Sequence, residues 1–383
     1  MPAGRDAARW DVIVIGVGVI GAAALDALAG RGRRVLGLDR FDIPNVVGSS
    51  HGGTRVIRMA YFEGQDYVPL LQRSWRAWEA LAAWRGERLL RRTGILHFGP
   101  EPMLRSVLAC ARERGLAHTA VDAAEIAARW PAFTPAADDA GIYEDDGGVL
   151  FAERCVSALV DRAVARGAEV RARQRVVAIE PGPAGVVVRT ATETLCADRV
   201  VLAVGAWSEG DACPLPMALP LRIDRQVQLW FGARAPALVG PDRLPAFLRF
   251  SDDGVFYGMA QMELPGVKVC EHFGGEATRA DALDRDLRLS DEARVRAFVR
   301  AHLPAADGPL LGARVCMYTT TPDENFVIGA HPDHPERVVV AAGFSGHGFK
   351  LAPAVGELVA DCVDGDGAAV PLIFDPRRFS AAR

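Results

Sequence analysis

Residues 11–39 read DVIVIGVGVIGAAALDALAGRGRRVLGLD, and few local folds are open to such a stretch. Residues 11–15 are a short apolar, β-branched run, which predicts a buried strand. Residues 22–29 are helix formers and stop at Gly30 and Gly32. Residues 34–38 predict a second strand, ended by Asp39. Gly16, Gly18 and Gly21 fall at the first turn as G-x-G-x-x-G. Gly16 permits a tight turn, Gly18 lets a pyrophosphate approach the backbone, and Gly21 lets helix pack on strand. The helix start offers N–H groups and partial positive charge to phosphates. Asp39, 18 residues past Gly21, is placed to accept hydrogen bonds from a ribose. The unit predicts dinucleotide binding and leaves NAD and FAD both open.

Beyond this unit two textures alternate. Strand–helix–strand patterning recurs over about 150–215 and at the end of the chain; strand-rich, antiparallel patterning fills 92–148 and 218–317. The expected fold class is therefore α/β with an α+β second domain. A Rossmann-like nucleotide domain would be assembled from 1–91, 149–217 and 318–383, and a mixed or antiparallel-sheet substrate domain from 92–148 and 218–317. Within these, residues 65–84 predict an amphipathic helix with Trp75 and Trp78 packed on one face. Residues 141–151 predict a hairpin on an Asp/Gly turn, and Ser290 is expected to cap a helix running to Leu303.

Composition narrows the function classes. The 383 residues carry 44 Lys and Arg against 48 Asp and Glu, a net charge of −4 with no basic run, which argues against nucleic acid. Seven cysteines, an odd number with no C-x-x-C, argue against a disulfide framework or a metal site and for a reducing cytoplasm. The apolar run over 12–25 is broken by three glycines, and no stretch of ~20 apolar residues exists, so no membrane partner is expected.

Three stretches favour FAD over NAD. In GSSHGGTRVIRMAY, residues 48–61, glycines allow close backbone approach, and Arg55 and Arg58 are three apart, as on a shared helical or turn face. They suit an anionic flavin or a substrate carboxylate; a solvated charge pair is the competing reading. VVLAVGAW places a strand end at Gly205, either beside a cofactor or in a buried turn. In GFSGHGFK, residues 343–350, backbone N–H groups around Gly346 and Gly348 open the last helix and could face a reduced, anionic ring. His347 and Lys350 there are either loop and surface residues or ligand contacts. Cys316, alone in RVCMYTTT, is by composition an inert core thiol.

Together these motifs resemble the monomeric sarcosine oxidase and N-methyltryptophan oxidase family, flavoenzymes of the D-amino-acid oxidase-like superfamily. The resemblance spans essentially the whole chain and is carried by GSSHGGTRVIR, by CMYT followed by PDENFVI, and by GFSGHGFK. It implies covalent FAD, joined through a thioether from Cys316 to the flavin 8α-methyl; an isolated thiol suits such a link because no neighbour competes as a disulfide partner. It implies that Lys268 near flavin N5 assists reaction with O2, and that Arg58 and Lys350 bind the substrate carboxylate. Arg55 would lie beside the ring, and Tyr257, His272 and Tyr318 would shape the amine pocket. Thr54, Asp39 and Val176 would hold the cofactor.

The implied reaction is oxidation of an N-methyl amino acid, sarcosine first, to formaldehyde, a primary amino acid and H2O2. N-methyltryptophan, a pipecolate-type amino acid, or a dehydrogenase passing electrons to a carrier are the alternatives. The implied protein is a monomer. Ser50 and Gly53 replace a His and an Asp of the family pattern, Phe256 replaces a Tyr, and Met59 and Phe62 also depart from it. The last two bear on substrate size more than on reaction type.

Overall fold

The computed structural model describes residues 9–365 and 370–382; residues 1–8, 366–369 and 383 of the expected nucleotide domain lie outside them. The strand Trp10–Ile15 pairs in parallel with Val35–Leu38 on one side and Thr194–Leu202 on the other. All of its residues except Asp11 are buried, because a parallel sheet is covered on both faces and its strands need not alternate. On one face the helices Val19–Gly30, Ala152–Ala165 and Ala352–Asp364 share a core with Val12, Val14 and Val35. On the other, Ile13, Ile15, Leu36 and Leu38 pack with Ile179, Val186 and Val188. This eight-stranded sheet draws its strands from residues 10–38, 169–202 and 327–342.

A nine-stranded sheet draws its strands from residues 95–144 and 222–320. Its pairings are antiparallel except that Ala246–Ser251 runs parallel to Ile95–Pro100. The helix Leu289–His302 covers one face, packing Val295, Phe298 and Val299 onto Leu229, Phe231, Val267, Val269 and Phe256. Two ion pairs tie the same face to this helix, Arg225 to Asp291 at 2.7 Å and Glu271 to Arg294 at 2.8 Å. Side chains alternate along strands. Gln226, Gln228, Lys268, Cys270 and His272 therefore point to the opposite face, where the register sets Cys316 beside Gln226 and Tyr257 beside Cys270.

A third, three-stranded sheet joins Thr54–Ile57, Leu90–Arg92 and Gly148–Phe151. The helix Val68–Arg85 buries Trp75 and Trp78, as their spacing implied.

Three local expectations are corrected. The strands Asp139–Glu144 and Gly148–Phe151 do not form a hairpin: the first pairs with Ile95–Pro100 and Thr119–Asp122, the second with Thr54–Ile57 and Leu90–Arg92. Alternation marks a strand without naming its partner, and Glu144 is committed elsewhere, accepting from the Ala60 N–H and pairing with His97. Ser290 is not the cap of its helix. The helix starts at Leu289 with Arg288 in the capping position, so Ser290 falls inside its first turn, and the Asp291 carboxylate reaches back to the Arg288 N–H at 2.8 Å. Arg55 and Arg58 are on neither a helix nor a turn: Arg55 belongs to the strand Thr54–Ile57 and Arg58 follows its end, and both reach one cleft.

Candidate active site

The glycine turn after Trp10–Ile15 opens a long cleft between the two large sheets. Gly16 has φ +88°, and a Cβ there would run into the Ala203 carbonyl. A Cβ on Gly21 would strike the Gly16 carbonyl, so helix and turn interlock only without side chains. Gly16, Gly18 and Asp39 line the cleft, with Val176 and Gly205 further along. Asp39 braces the turn: one carboxylate oxygen accepts from the Val17 N–H at 2.7 Å, the other from the Phe41 N–H at 2.8 Å. Burial raises its pKa, and those two N–H groups oppose the rise. Each oxygen keeps a second lone pair for a ribose.

The middle of the cleft is the polar face of the nine-stranded sheet. Cys316, Tyr318, Gln228, Tyr257 and His272 all line it. His272 Nδ1 lies 3.2 Å from the Tyr318 hydroxyl. Burial pulls the His272 pKa down to about 3, so its ring is neutral at working pH. Tyr257 and Tyr318 are pushed upward by burial and stay protonated. Gly346 and Gly348 reach the same cleft from the loop after Val338–Ala342. Gly346 has φ +79°, and a Cβ there would run into the Tyr318 ring. Arg55, also at the cleft, donates to the carbonyls of Ser49 and Thr54 and lies over the Phe349 ring at 5.6 Å.

Arg58 and Lys350 close the cleft with two buried basic side chains. Arg58 donates to both carboxylate oxygens of Glu63 and to the Ala60 carbonyl. Its guanidinium lies 4.2 Å from the Tyr61 ring centre and 4.5 Å from that of Phe62. Burial alone would raise the Glu63 pKa, but Arg58, helped by His347 and Lys350, brings it down to about 2. Lys350 Nζ donates to the Tyr61 hydroxyl at 3.2 Å and the His347 carbonyl at 3.0 Å. His347 Nε2 faces the Glu324 carbonyl at 3.0 Å, so that nitrogen carries the proton and Nδ1 accepts from the Tyr61 hydroxyl at 2.8 Å. Burial, with Arg58, lowers Lys350 to about 7.

Lys268 and Thr54 stand apart from this lining. They border a second cavity with Gly52, Trp230 and Met262. Lys268 Nζ donates to the carbonyls of Gly52 and Thr54, both at 2.9 Å. Burial, then Arg55, lowers it to about 7.

Several site residues carried no signal strong enough to single them out beforehand. Tyr61 and Glu63 lie in RMAYFEG, and a Glu five residues after a buried Arg was the available clue. Gln228 is one of several polar residues in the strand Arg222–Phe231, and nothing local sets it apart; its side-chain amide reaches Cys316 Sγ at 3.2 Å, and its Oε1 is a buried acceptor with no partner. That orphaned acceptor, the glycine turn and the Gly346 cradle fit a bound dinucleotide cofactor. Among the described residues, no group of three His, Cys, Asp or Glu could hold a metal ion. Nor is any helix among them long and apolar enough to cross a membrane.

Comparison with known proteins agrees with this geometry. The profile of the FAD dependent oxidoreductase family matches residues 11–362. A monomeric sarcosine oxidase of Bacillus sp. (strain B-0618) is 37% identical over 92% of this chain and 91% of its own length. An N-methyl-L-tryptophan oxidase of Yersinia pestis (strain Pestoides F) is 34% identical over 92% of this chain and 94% of its own. Among solved structures, NikD, an unusual amino acid oxidase essential for nikkomycin biosynthesis, superposes with a TM-score of 0.85. It is 26% identical over 96% of this chain and 97% of that one.

Proposed function

The chain belongs to the FAD dependent oxidoreductase family, and from that premise we propose that it oxidises the N-methyl group of a secondary amino acid, sarcosine first. The products are glycine, formaldehyde and, with O2 as electron acceptor, H2O2. One observation carries the reading: two buried basic side chains, Arg58 and Lys350, share a single cleft with the dinucleotide turn and Cys316. Such a pair suits a carboxylate, and fixing the carboxylate places the adjacent N-methyl group, the entropic part of catalysis.

Bound FAD would supply the two-electron acceptor for the N-methyl C–H bond. Gly16, Gly18, Asp39, Val176 and Gly205 would hold its dinucleotide part, Gly346, Gly348 and Arg55 would flank the ring, and Thr54 would support the cofactor from behind this lining. Cys316 would bind it covalently through the 8α-methyl. Arg58 exchanges part of its bond to Glu63 for the substrate carboxylate, and Lys350 adds the second contact. Tyr257, His272 and Tyr318 wall the amine pocket as neutral groups, adding no charge that would repel a cationic amine. Phe62 backs this wall, edge-on to Phe250 with ring centres 5.3 Å apart and to His272 at 6.2 Å. Lys268, whose ammonium pKa burial and then Arg55 bring down to about 7, would stabilise superoxide as O2 takes its first electron.

The expected division into a discontinuous FAD domain and a substrate domain is supported by the separate origins of the two large sheets. Unpaired cysteines support a cytoplasmic protein, and the family suggests a monomer.

Acid precipitation followed by peptide mass mapping tests attachment. A panel of sarcosine, N-methyltryptophan and pipecolate, read by formaldehyde and peroxide, tests the reaction. Peroxide without formaldehyde, or turnover of N-methyltryptophan alone, would overturn the sarcosine reading; flavin reduction by sarcosine with no peroxide would make the protein a dehydrogenase.

A further inference from the structure

The geometry points to Gln228 as a positioning residue for covalent attachment: its side-chain amide donates to Cys316 Sγ and presents the sulfur to the flavin methyl. This rests on the covalent reading above. Gln228 sits mid-strand in Arg222–Phe231 on the cleft face, opposite Arg314, while Cys316 is opposite Gln226. The amide therefore reaches the sulfur diagonally across two strands, Nε2 to Sγ at 3.2 Å. Gln228 is only 2% exposed, and its Oε1 has no partner at all. A buried carboxamide with half of its hydrogen-bonding capacity unused is a poor structural device. Its one polar contact is the sulfur. Space for it is kept on the other side by Gly52, where a Cβ would run into Gln228 Oε1.

Attachment forms the bond from Cys316 Sγ to the methyl carbon and removes one methyl proton. The electron pair of that C–H bond passes to the ring, which with the methyl and thiol protons is left reduced by two electrons. Dioxygen, the co-substrate of the proposed oxidase, takes the pair and two protons as H2O2. The thiol must give up its proton before it attacks, and a fixed N–H donor lowers the cost of the thiolate while holding the side chain in one rotamer.

The test uses full-length apoprotein from riboflavin-starved cells, mixed with FAD, with acid-stable flavin followed over time and pH. Gln228→Met keeps the bulk and removes the donor; Gln228→Glu keeps the shape and places a carboxylate beside the sulfur. Quenching of FAD fluorescence on non-covalent binding shows that each variant is folded. We expect attachment to slow roughly tenfold or more in Gln228→Met, the factor for one hydrogen bond to a charged group. We also expect the slowed rate to recover at high pH, and Gln228→Glu to be slower still above the titration of its carboxylate. Attachment at the wild-type rate with an unshifted pH profile in both variants would overturn the proposal while leaving covalent attachment standing. No acid-stable flavin in the wild type would remove the covalent reading and this proposal with it.

Discussion

Arg58 and Glu63 form an ion pair inside the protein, the guanidinium donating to both carboxylate oxygens at 2.6 and 2.7 Å with each side chain only 3% exposed. Removing one member of such a pair leaves a buried charge uncompensated, at a cost of about 3–5 kcal/mol. Glu63→Gln is therefore expected to lower the thermal midpoint at neutral pH. Because it frees Arg58, it should also make that midpoint respond more strongly to a simple carboxylate such as acetate. Thermal melts with and without acetate check both effects; an equal acetate response in wild type and variant would show that Arg58 is not a carboxylate site.

The same pair has an acid signature. The folded Glu63 titrates near 2 against an ordinary 4.5. A carboxylate depressed in this way contributes stability that is complete above 4.5 and lost as pH falls towards about 2. Wild type should lose stability steeply across that window, and Glu63→Gln, already lacking the contribution, less steeply. Denaturant melts between pH 5 and about 2.5 measure the difference in slope.

Lys268 offers a kinetic test. Lys268→Met should cut the rate of flavin reoxidation by about 10²-fold or more and leave anaerobic reduction by substrate intact. In the wild type, reoxidation should fall as pH rises through about 7, where the ammonium loses its proton. Stopped-flow reoxidation across pH decides it, and a flat profile would remove the lysine from the oxygen step.

Gly346→Ala should damage the site without touching a polar group. The residue has φ +79°, and the new methyl would press on the Tyr318 ring, which faces His272. A loss of about 1–3 kcal/mol and weaker flavin binding are expected, measured by denaturant melts and by flavin release.

The elements that could be read from the chain were those with local causes. Strand 10–15, the glycine turn and the following helix rest on neighbouring residues alone, and the structure moves their boundaries by only one to three residues. Trp75 and Trp78 announced their buried face by helical spacing. What could not be read was partnership across distance. Nothing local in GIYEDDGGVLF says that its two strands enter different sheets, because the commitment of Glu144 to Ala60 and His97 is tertiary. The site divides in the same way. Glycines and isolated charges stand out in a linear text. The Glu63 bond to Arg58, the chain from Lys350 through Tyr61 to His347, and the amide of Gln228 on Cys316 become visible only once strands are placed side by side.

The nine-stranded sheet has one further consequence, for how this chain could diverge. Alternate positions along its central strands do separate jobs: one set grips the helix Leu289–His302, the other faces the cleft. Substitutions at 228 or 272 can therefore rewrite chemistry while the scaffold stays intact, and substitutions one position away do the reverse. A saturation library split by this parity should yield two populations, one of folded proteins with altered selectivity and one of proteins that fail to fold. A lineage built this way can explore new amine substrates one residue at a time without passing through unfolded intermediates.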